Sequence, residues 1–437
     1  MKKIILLILF ALYAFSVRAE LKIDITGARS EPIPVAISEF TGVSKADEIR
    51  KIIINNLEGS GLFRVIDKNA YIQKLQNIEE NPVFSEWQAI NAQALLFANV
   101  DEVTDNRLKI SFKLWDVYAK QTPILAKALT LSKNDWRRLG HIVSDMVYSE
   151  VTGEDGYFDS RLVYVAQSGI KNRPIKRLAI MDQDGENHHF LTDGSNLVLT
   201  PRFAPDMQKI AYMSYQGGKP RIFIMDLFTR EEMDLGVFEG MSFAPRFSND
   251  GKKLALSLSK KGNSDVYLYD LENKKYERLT KHLSIDTSPS FSPDGTQIVF
   301  NSDRSGSQQL YIMTADGKNV KRISFGSKGS YATPVWSPRG DYIAFTKIQS
   351  GTFYIGVMRP DGSGERLITQ GFLVEGPSFS PNGRVLTFFK QQPYDGSENE
   401  GKSGIYTIDI TGYNERFLKT PTEASDPAWS SLLFKNK

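Results

Sequence analysis

Serine and aspartate side chains stand close together in the stretch SPSFSPDGTQIVFNSD, residues 288–303, beside a Pro-Asp-Gly turn. A serine and a carboxylate are two of the groups that hydrolases use for nucleophilic catalysis. The same residue types also favour tight turns, because their side chains accept hydrogen bonds from nearby backbone N–H groups. Two interpretations are therefore open: a catalytic site, or a turn that the fold requires.

Variants of this stretch recur along the chain, which favours the structural interpretation. The copies are separated by 44, 44, 45 and 43 residues, and a last fragment begins further on. A catalytic set needs different residues that converge on one point, whereas these serines and aspartates occupy equivalent turns. The G-x-S-x-G pentapeptide of α/β-hydrolases is also absent from the sequence. The copies are headed by Pro201, Pro245, Pro289, Pro334 and Pro377, and the fragment by Pro427.

The four histidines do not form a metal or catalytic motif in the sequence. His141 lies in a predicted helix, where we expect a partly buried structural side chain, and His282 lies in a predicted loop. His188 and His189 are adjacent in a predicted strand, so their side chains point to opposite faces and are not expected to share a metal. We therefore predict that the protein is not an enzyme and has no catalytic residue, no cofactor and no metal.

The repeat predicts a β-propeller. Each copy reads as four short strands, with Pro and Gly at the turn positions that need their backbone angles. Four strands in a repeat of this length are typical of a propeller blade. Five copies are complete. The sixth blade is predicted to combine RLVYVAQ, KRLAIMD and NHHFLT, which precede the repeats, with PAWSSLLF at the C-terminus. This pairing would close the ring and remove an open sheet edge.

The N-terminus predicts export. Lys2 and Lys3 precede an apolar run over residues 4–17, and the sequence VRA that follows ends at a small residue, Ala19. A signal peptide would therefore be cleaved between Ala19 and Glu20. Without Lys2, Lys3 and Arg18, 51 basic side chains remain against 51 acidic ones. This balance disfavours a nucleic-acid partner. Because the chain contains no cysteine, it can hold no disulfide, thiolate metal site or lipid anchor on Cys.

Residues 20–156 lack the repeat and predict a small α/β domain. Helical periodicity follows Ser44, an expected N-cap, and again precedes a linker near residues 154–159. The expected fold is therefore an α/β N-terminal domain followed by an all-β six-bladed β-propeller, closed by pairing the C-terminal strand with the N-terminal propeller strands. The expected domains are a signal peptide at 1–19, the α/β domain at 20–156 and the propeller at 157–437.

A binding face is predicted at one end of the propeller channel. The repeated turns stay constant, whereas the segments before the repeat prolines vary in composition, as loops that carry a specific site on a scaffold do. Each of these segments could equally be an ordinary solvated loop. They end at Thr200, Ala244, Ser288, Thr333, Gly376 and Asp426.

The signal peptide, the α/β domain and the P-x-F/W-S-P-D/N-G repeats together resemble the TolB family of the Tol-Pal system. ELKIDITGARSEPIPVAISEF at the mature N-terminus is similar to the start of that family, and SDRSGSQQLYIMTADG and the terminal PAWS are similar to its propeller. The resemblance covers essentially the whole mature chain. It implies a periplasmic scaffold, monomeric and without enzymatic activity, that supports outer-membrane integrity and constriction at cell division and is exploited for colicin uptake.

The resemblance also implies partners and sites. The family binds the lipoprotein Pal at the channel mouth and the C-terminal domain of TolA through its N-terminus, with other outer-membrane proteins and colicins as further partners. The Pal-binding positions carried over are Met241, Ser242, Ala244, Asp286, Thr287, Ser288 and Thr333, of which Met241 and Ser288 depart from more polar residues common in the family. The TolA-binding segment is 20–30, with Glu20, Leu21, Lys22, Ile23, Asp24, Ile25, Thr26 and Gly27 as its core.

The alternation of apolar and polar residues in segment 20–30 fits TolA binding. Leu21, Ile23 and Ile25 would share one face of an extended strand that could join a partner's sheet edge. It could also be simply the first internal strand. A generic exported propeller that binds a glycan or a peptide, and a propeller that gates a separate peptidase, are the competing functions.

Overall fold

The structure of the protein is a computed structural model. It describes residues 31–104, 106–119, 122–170, 173–236, 241–325, 329–394, 396 and 401–434. The predicted signal peptide with its cleavage site and the predicted TolA-binding segment, residues 20–30, lie outside the described residues.

The N-terminal region is a mixed sheet covered by helices. Its strands are ordered β3-β1-β4-β5-β6, with β2 paired to β4. β1 runs parallel to β3 and β4, and β4, β5 and β6 are antiparallel neighbours. The elements are β1 (Ile33–Ile37), β2 (Thr41–Gly42), α1 (Lys45–Gly59), β3 (Phe63–Val65), α2 (Phe84–Ala89), β4 (Ala94–Val103), β5 (Arg107–Asp116), β6 (Leu125–Ser132) and α3 (Trp136–Thr152).

Both long helices are amphipathic, and their buried faces pack on the sheet and on each other. α1 buries Ile49, Ile53 and Leu57 at helical spacing. Ser44 precedes α1 as predicted from the sequence, but its hydroxyl makes no capping hydrogen bond. Gly153 caps the C-terminal end of α3, and its φ of 74° is the left-handed conformation that often ends a helix and that glycine adopts without a Cβ clash.

Six four-stranded antiparallel sheets follow, which confirms the predicted fold class. The sheet that closes the ring has the order β30-β7-β8-β9, so it joins the C-terminal strand to the first propeller strands as predicted. We call this sheet blade 6 and number the others from 1 to 5 in chain order. Blade 6 consists of β7 (Arg161–Ile170), β8 (Arg173–Asp182), β9 (His189–Phe190) and β30 (Glu423–Trp429).

The other blades repeat one topology, in which each strand pairs with the next along the chain. Blades 1 and 2 are β10 (Val198–Phe203), β11 (Lys209–Ser214), β12 (Arg221–Asp226), β13 (Glu232–Asp234), β14 (Met241–Phe247), β15 (Lys253–Lys260), β16 (Asn263–Asp270) and β17 (Lys275–Arg278). Blade 3 is β18 (Asp286–Phe291), β19 (Gln297–Ser302), β20 (Gln309–Thr314) and β21 (Lys321–Arg322). Blades 4 and 5 are β22 (Ser330–Trp336), β23 (Ile343–Gln349), β24 (Thr352–Met358), β25 (Arg366–Gly371), β26 (Leu373–Phe379), β27 (Val385–Gln391), β28 (Ser403–Asp409) and β29 (Arg416–Leu418).

Hydrophobic clusters fill the spaces between successive blades. The largest cluster runs without a break from the N-terminal sheet and its helices into blades 5 and 6. The predicted linker is part of this contact, because Tyr157, Phe158 and Asp159 are buried. Tyr157 packs edge-on against Trp429 of the ring-closing strand, with ring centroids 5.9 Å apart. The connection between the two parts is therefore a packed interface.

Candidate functional site at the channel mouth

The first strand of every blade is irregular at the same place. The register with the second strand shifts across the repeat proline in all six blades. The residue before each proline has a positive φ: 50° at Thr200, 51° at Ala244, 55° at Ser288, 47° at Thr333, 68° at Gly376 and 51° at Asp426.

We call these six residues the bulge ring. A positive φ is unfavourable for residues other than glycine, and five of the six carry a side chain. Such conformations persist only where the surrounding structure enforces them, and bulges often re-aim side chains near binding sites. The ring therefore bends the first strand of all six blades at the same point.

The bulge ring lies near the middle of the first strands, and the residues before it lead back to the end of the propeller where these strands begin. The second strands end there because they run antiparallel to the first, so the turns between second and third strands share that end. We call this end the mouth face. Large hydrophobic side chains are exposed on it: Ile170, Leu197, Leu283, Ile285, Phe325, Phe372 and Tyr394. Exposed apolar groups gathered around a channel are typical of an interaction surface.

The opposite end is covered by the N-terminal region. Ile142, Asp145 and Ser149 of α3 face the turns between the first and second strands of the blades, such as those that contain Pro205 and Pro338. Arg339 of a blade 4 turn forms an ion pair with Glu154, with 3.2 Å between the charged atoms. The contacts that residues 142–156 of the N-terminal region make with the repeat turns are thus at the end opposite to the mouth face.

The predicted Pal-binding residues differ in their accessibility. Asp286 is fully buried and pairs with Arg304 at 2.7 Å, so its carboxylate is inside blade 3. Thr287 accepts a hydrogen bond from the Asn301 amide at 2.9 Å, and the Ser288 backbone N–H donates to the Ser257 hydroxyl at 3.1 Å.

The remaining predicted positions lie on the neighbouring first strands. The Thr333 hydroxyl is 2.8 Å from the Thr346 hydroxyl. Met241 and Ser242 lie on β14, opposite Ser259 and Leu258, and Ala244 follows in the bulge. The structure therefore brings the predicted positions to three adjacent first strands, β14, β18 and β22.

Several charged residues of this end were missed by the sequence reasoning. Arg304 pairs with Asp286 and stacks near Tyr311, 5.0 Å from the ring centroid. Glu375 lies beside Asp426, and burial together with the Asp426 charge raises the pKa of Glu375. The sequence gives little indication that Arg304 and Glu375 belong to this end of the channel, because neither stands directly before a repeat proline. Only the closing of the blades brings them to the mouth.

The serine and aspartate of the repeats are turn residues. The Ser292 hydroxyl donates to the Asp294 carboxylate and accepts from the Gln297 backbone N–H at 2.9 Å. The hydrogen bond from Ser292, followed by that from the Thr296 N–H, lowers the pKa of Asp294. Ser248 and Asp250 repeat the arrangement in blade 2. Both side chains are thus committed to their own turn.

One cluster among the described residues has the composition of a metal site, with ligand atoms of His141, Asp182 and Asp184 within 4.8 Å of one another. The two carboxylates already have a cationic partner: the Arg137 guanidinium is 2.5 Å from an Asp184 oxygen and 3.5 Å from an Asp182 oxygen. Asn56 binds the other ring nitrogen of His141 at 3.0 Å. The cluster is therefore an ion-pair network between α3 and blade 6.

His188 and His282 lie apart from this cluster. His188 directly precedes the short strand β9, where its ring packs against Phe190 with centroids 4.8 Å apart, and His189 is exposed on the strand. His282 lies in the loop before β18 and accepts a hydrogen bond from the Ser284 N–H at 3.1 Å. No helix within the described ranges is long and apolar enough to cross a membrane.

Two family models match the chain. The model of the TolB amino-terminal domain matches residues 21–122, and the model of the TolB beta propeller domain matches residues 148–433. The chain is 60% identical over 421 residues to the Tol-Pal system protein TolB of Paramagnetospirillum magneticum, covering 95% of this chain and 94% of that protein. The crystal structure of TolB from Acinetobacter baumannii superposes with a TM-score of 0.81 at 28% identity, covering 93% of this chain and 99% of that one. The chain therefore belongs to the TolB family of the Tol-Pal system.

Proposed function

We propose that this protein is a periplasmic scaffold of the Tol-Pal system, without enzymatic activity, that binds Pal through the mouth face and TolA through residues 20–30. The observation that carries the Pal site is the set of exposed apolar side chains on the mouth face, at the end where the bulged first strands begin. Binding energy in protein interfaces concentrates in a few large side chains that become desolvated. Leu283 and Phe325, exposed by 97% and 66%, are the side chains that can bury most area on a partner.

The test compares two exposed hydrophobic side chains at opposite ends of the propeller. Leu283 lies on the mouth face, and Phe228, 95% exposed, lies in the turn between β12 and β13 at the other end. We expect Leu283→Ser to weaken Pal binding at least about tenfold in a titration with the soluble Pal domain, the loss of about 1.4 kcal/mol. Phe228→Ser should leave the affinity unchanged. An equal effect of both variants would contradict the mouth assignment.

The N-terminal segment supports the TolA proposal through its alternating Leu21, Ile23 and Ile25, which suit addition of one strand to a sheet edge. A mature chain that lacks residues 20–30 should lose TolA binding and keep its Pal affinity. If TolA bound the shortened chain as well as the full one, the site would lie elsewhere.

We further propose that the two sites are coupled, so that Pal occupancy changes the exposure of residues 20–30. Support comes from the continuous core between the N-terminal region and blades 5 and 6, which gives a physical connection between them. Coupling requires that TolA affinity differ with and without Pal. Equal affinities in the two titrations would remove the switch while leaving both binding sites in place.

A further inference from the structure

Two arginines occupy equivalent positions in neighbouring blades. The residue after the repeat proline is arginine in blades 1 and 2, and it is a smaller side chain in the others. The six equivalent positions surround the central channel of the propeller. Because four of them carry smaller side chains, the channel has space for the two arginine side chains. The six residues, in blade order, are Arg202, Arg246, Ser290, Val335, Ser378 and Ala428.

Both arginines line a cavity of about 760 Å³ between the propeller and the N-terminal region. Aromatic side chains of the first strands, among them Phe203, Phe247 and Trp336, form part of its wall. Residues of α3 close one side of it. The cavity thus offers an apolar wall with two guanidinium groups.

The two guanidinium groups have almost no partners within the protein. Arg202 donates one hydrogen bond of 2.6 Å to the backbone carbonyl of the preceding residue, Pro201. In the part of the chain that the structure describes, no carboxylate lies within 4.0 Å of either group. Burial, opposed only by Asp426, lowers the pKa of Arg202, and burial together with the Arg202 charge lowers the pKa of Arg246 far more. Both side chains are partly exposed to the cavity, where two like charges near one another are unfavourable and an anion between them would offset the repulsion.

Acidic residues in the cavity wall do not provide that anion. Asp145 is engaged by the backbone N–H groups of Phe158 and Asp159 at 2.7 and 2.9 Å. Asp155 is exposed at the rim, and the charge of Asp426 acts on Arg202 without forming an ion pair. The positive charge of Arg246 is left without a counter-charge.

We propose that Arg202 and Arg246 form a binding site for an oxyanion, a carboxylate or phosphate group of a ligand that enters the cavity between the propeller and the N-terminal region. Guanidinium groups bind both kinds of anion through paired N–H donors. The aromatic wall would contact an apolar part of the same ligand. Because the cavity touches α3, an occupied site would also bind the two parts of the protein together.

The test uses the mature chain and a double variant, Arg202→Ser with Arg246→Ser. Serine is compatible with the backbone here, because Ser290 and Ser378 stand at the same position in blades 3 and 5. Sodium phosphate and sodium citrate are titrated at matched ionic strength against sodium chloride, by calorimetry and by thermal unfolding. We expect one or both anions to bind the unchanged protein and raise its unfolding temperature, and the affinity to fall at least about tenfold in the variant.

The two probes distinguish the sources: binding of phosphate alone indicates a phosphate ligand, and binding of citrate alone a carboxylate ligand. Arg221→Ser is the matched control, because Arg221 is paired with Asp234 at 2.5 Å on the outer strands of blade 1. It should leave the anion response unchanged. Anion effects of equal size in the double variant, or no effect on the unchanged protein, would overturn the proposal.

Stability in chloride gives a second measurement that does not need a ligand. If the arginines lack partners, the double variant should unfold at the same or a higher urea concentration than the unchanged protein. A clearly lower midpoint would show that a group of the protein itself satisfies them, which would also overturn the anion site.

Discussion

Positive φ values at the bulge ring are a property of single residues, and they can be tested singly. Gly376 is the ring's one glycine, and a Cβ added there would meet no atom within 4 Å. Any loss of stability from a substitution to alanine at position 376 would therefore come from backbone conformation alone. The other five positions already bear this cost, so the ring stores strain within the first strands.

We expect Gly376→Ala to lower the free energy of unfolding by about 1 kcal/mol, because alanine is unfavourable at positive φ. Ala244→Gly in blade 2 should have the opposite sign, since it relieves the same conformation at φ 51°. Urea unfolding gives the change in the free energy of unfolding for each of the two variants. Changes of the same sign would mean that packing, rather than backbone conformation, determines these positions.

Asp145 on α3 is a second residue whose environment has a measurable consequence. Burial raises the pKa of Asp145 to about 7, although the N–H groups of Phe158 and Asp159 lower it. Gly156 permits this close contact, because a Cβ there would lie 2.1 Å from a carboxylate oxygen of Asp145. The unfolded chain binds the same proton with a pKa near 3.9.

Between about pH 4 and 7 the folded protein therefore holds a proton that the unfolded chain has released. Stability from this group is present at low pH and is lost as the pH rises through about 7, by up to about 1.4 kcal/mol per pH unit. Asp145→Asn removes the titration. We expect the difference in unfolding free energy between the two proteins to change across this range, measured in urea at pH 5, 6, 7 and 8. Parallel curves would contradict the raised pKa.

At the scale of elements, β30 holds the ring closed. The Trp429 side chain donates to the Ser160 hydroxyl at 2.8 Å. The Ser430 backbone N–H donates to the Arg161 carbonyl, and the Ser430 hydroxyl accepts from the Arg161 N–H, both at 2.9 Å. Without β30, the channel-side edge of β7 would be unpaired. Propellers depend on such closure because it leaves only short, protected edges.

A chain ending at Thr422 should therefore lose its cooperative unfolding transition and aggregate. A chain ending at Phe434 keeps β30 and is the control, expected to unfold like the full chain. Size-exclusion chromatography and urea unfolding would compare the association state and the unfolding midpoint of the two shortened chains and the full chain. A monomeric shortened chain with an unchanged midpoint would contradict the role of ring closure.

At the scale of the whole molecule, a polar contact joins the N-terminal region to blade 6. The Asn56 amide of α1 donates to His141 and Ser144, both at 3.0 Å, and its oxygen accepts from Gln183 at 2.9 Å. Asn56 is 3% exposed, so its loss would leave buried polar groups without a partner. Such groups cost about 1–3 kcal/mol each.

We expect Asn56→Ala to lower the unfolding free energy by about 2 kcal/mol and Gln183→Ala by about 1 kcal/mol. The double variant should cost less than the sum, because the two side chains share one hydrogen bond. Gln208→Ala, an exposed glutamine in a blade 1 turn, serves as a neutral control. Strict additivity in the cycle would show that the two parts are not coupled through this contact.

Sequence reasoning was sufficient for the architecture and insufficient for the site. Repeat spacing and turn residues indicate six blades and their closure, because Pro-Asp-Gly turns and strand alternation are local properties of the chain. Local patterns do not reveal which side chains become buried: Asp286 was predicted at the mouth, yet its carboxylate lies inside blade 3. The residues 154–159 read as a linker, yet Tyr157 and Phe158 are core residues.

The sequence was enough to establish the number of blades and their ring closure, because both follow from local turn chemistry repeated at a constant interval. Three features became visible only in the tertiary structure: the positive φ of the six pre-proline residues, the ion pairs of Arg137 with Asp182 and Asp184, and the cavity shared by Arg202 and Arg246. These features depend on strands more than 40 residues apart meeting around one axis, as Pro201 and Pro245 do. Only the closed ring places such residues together.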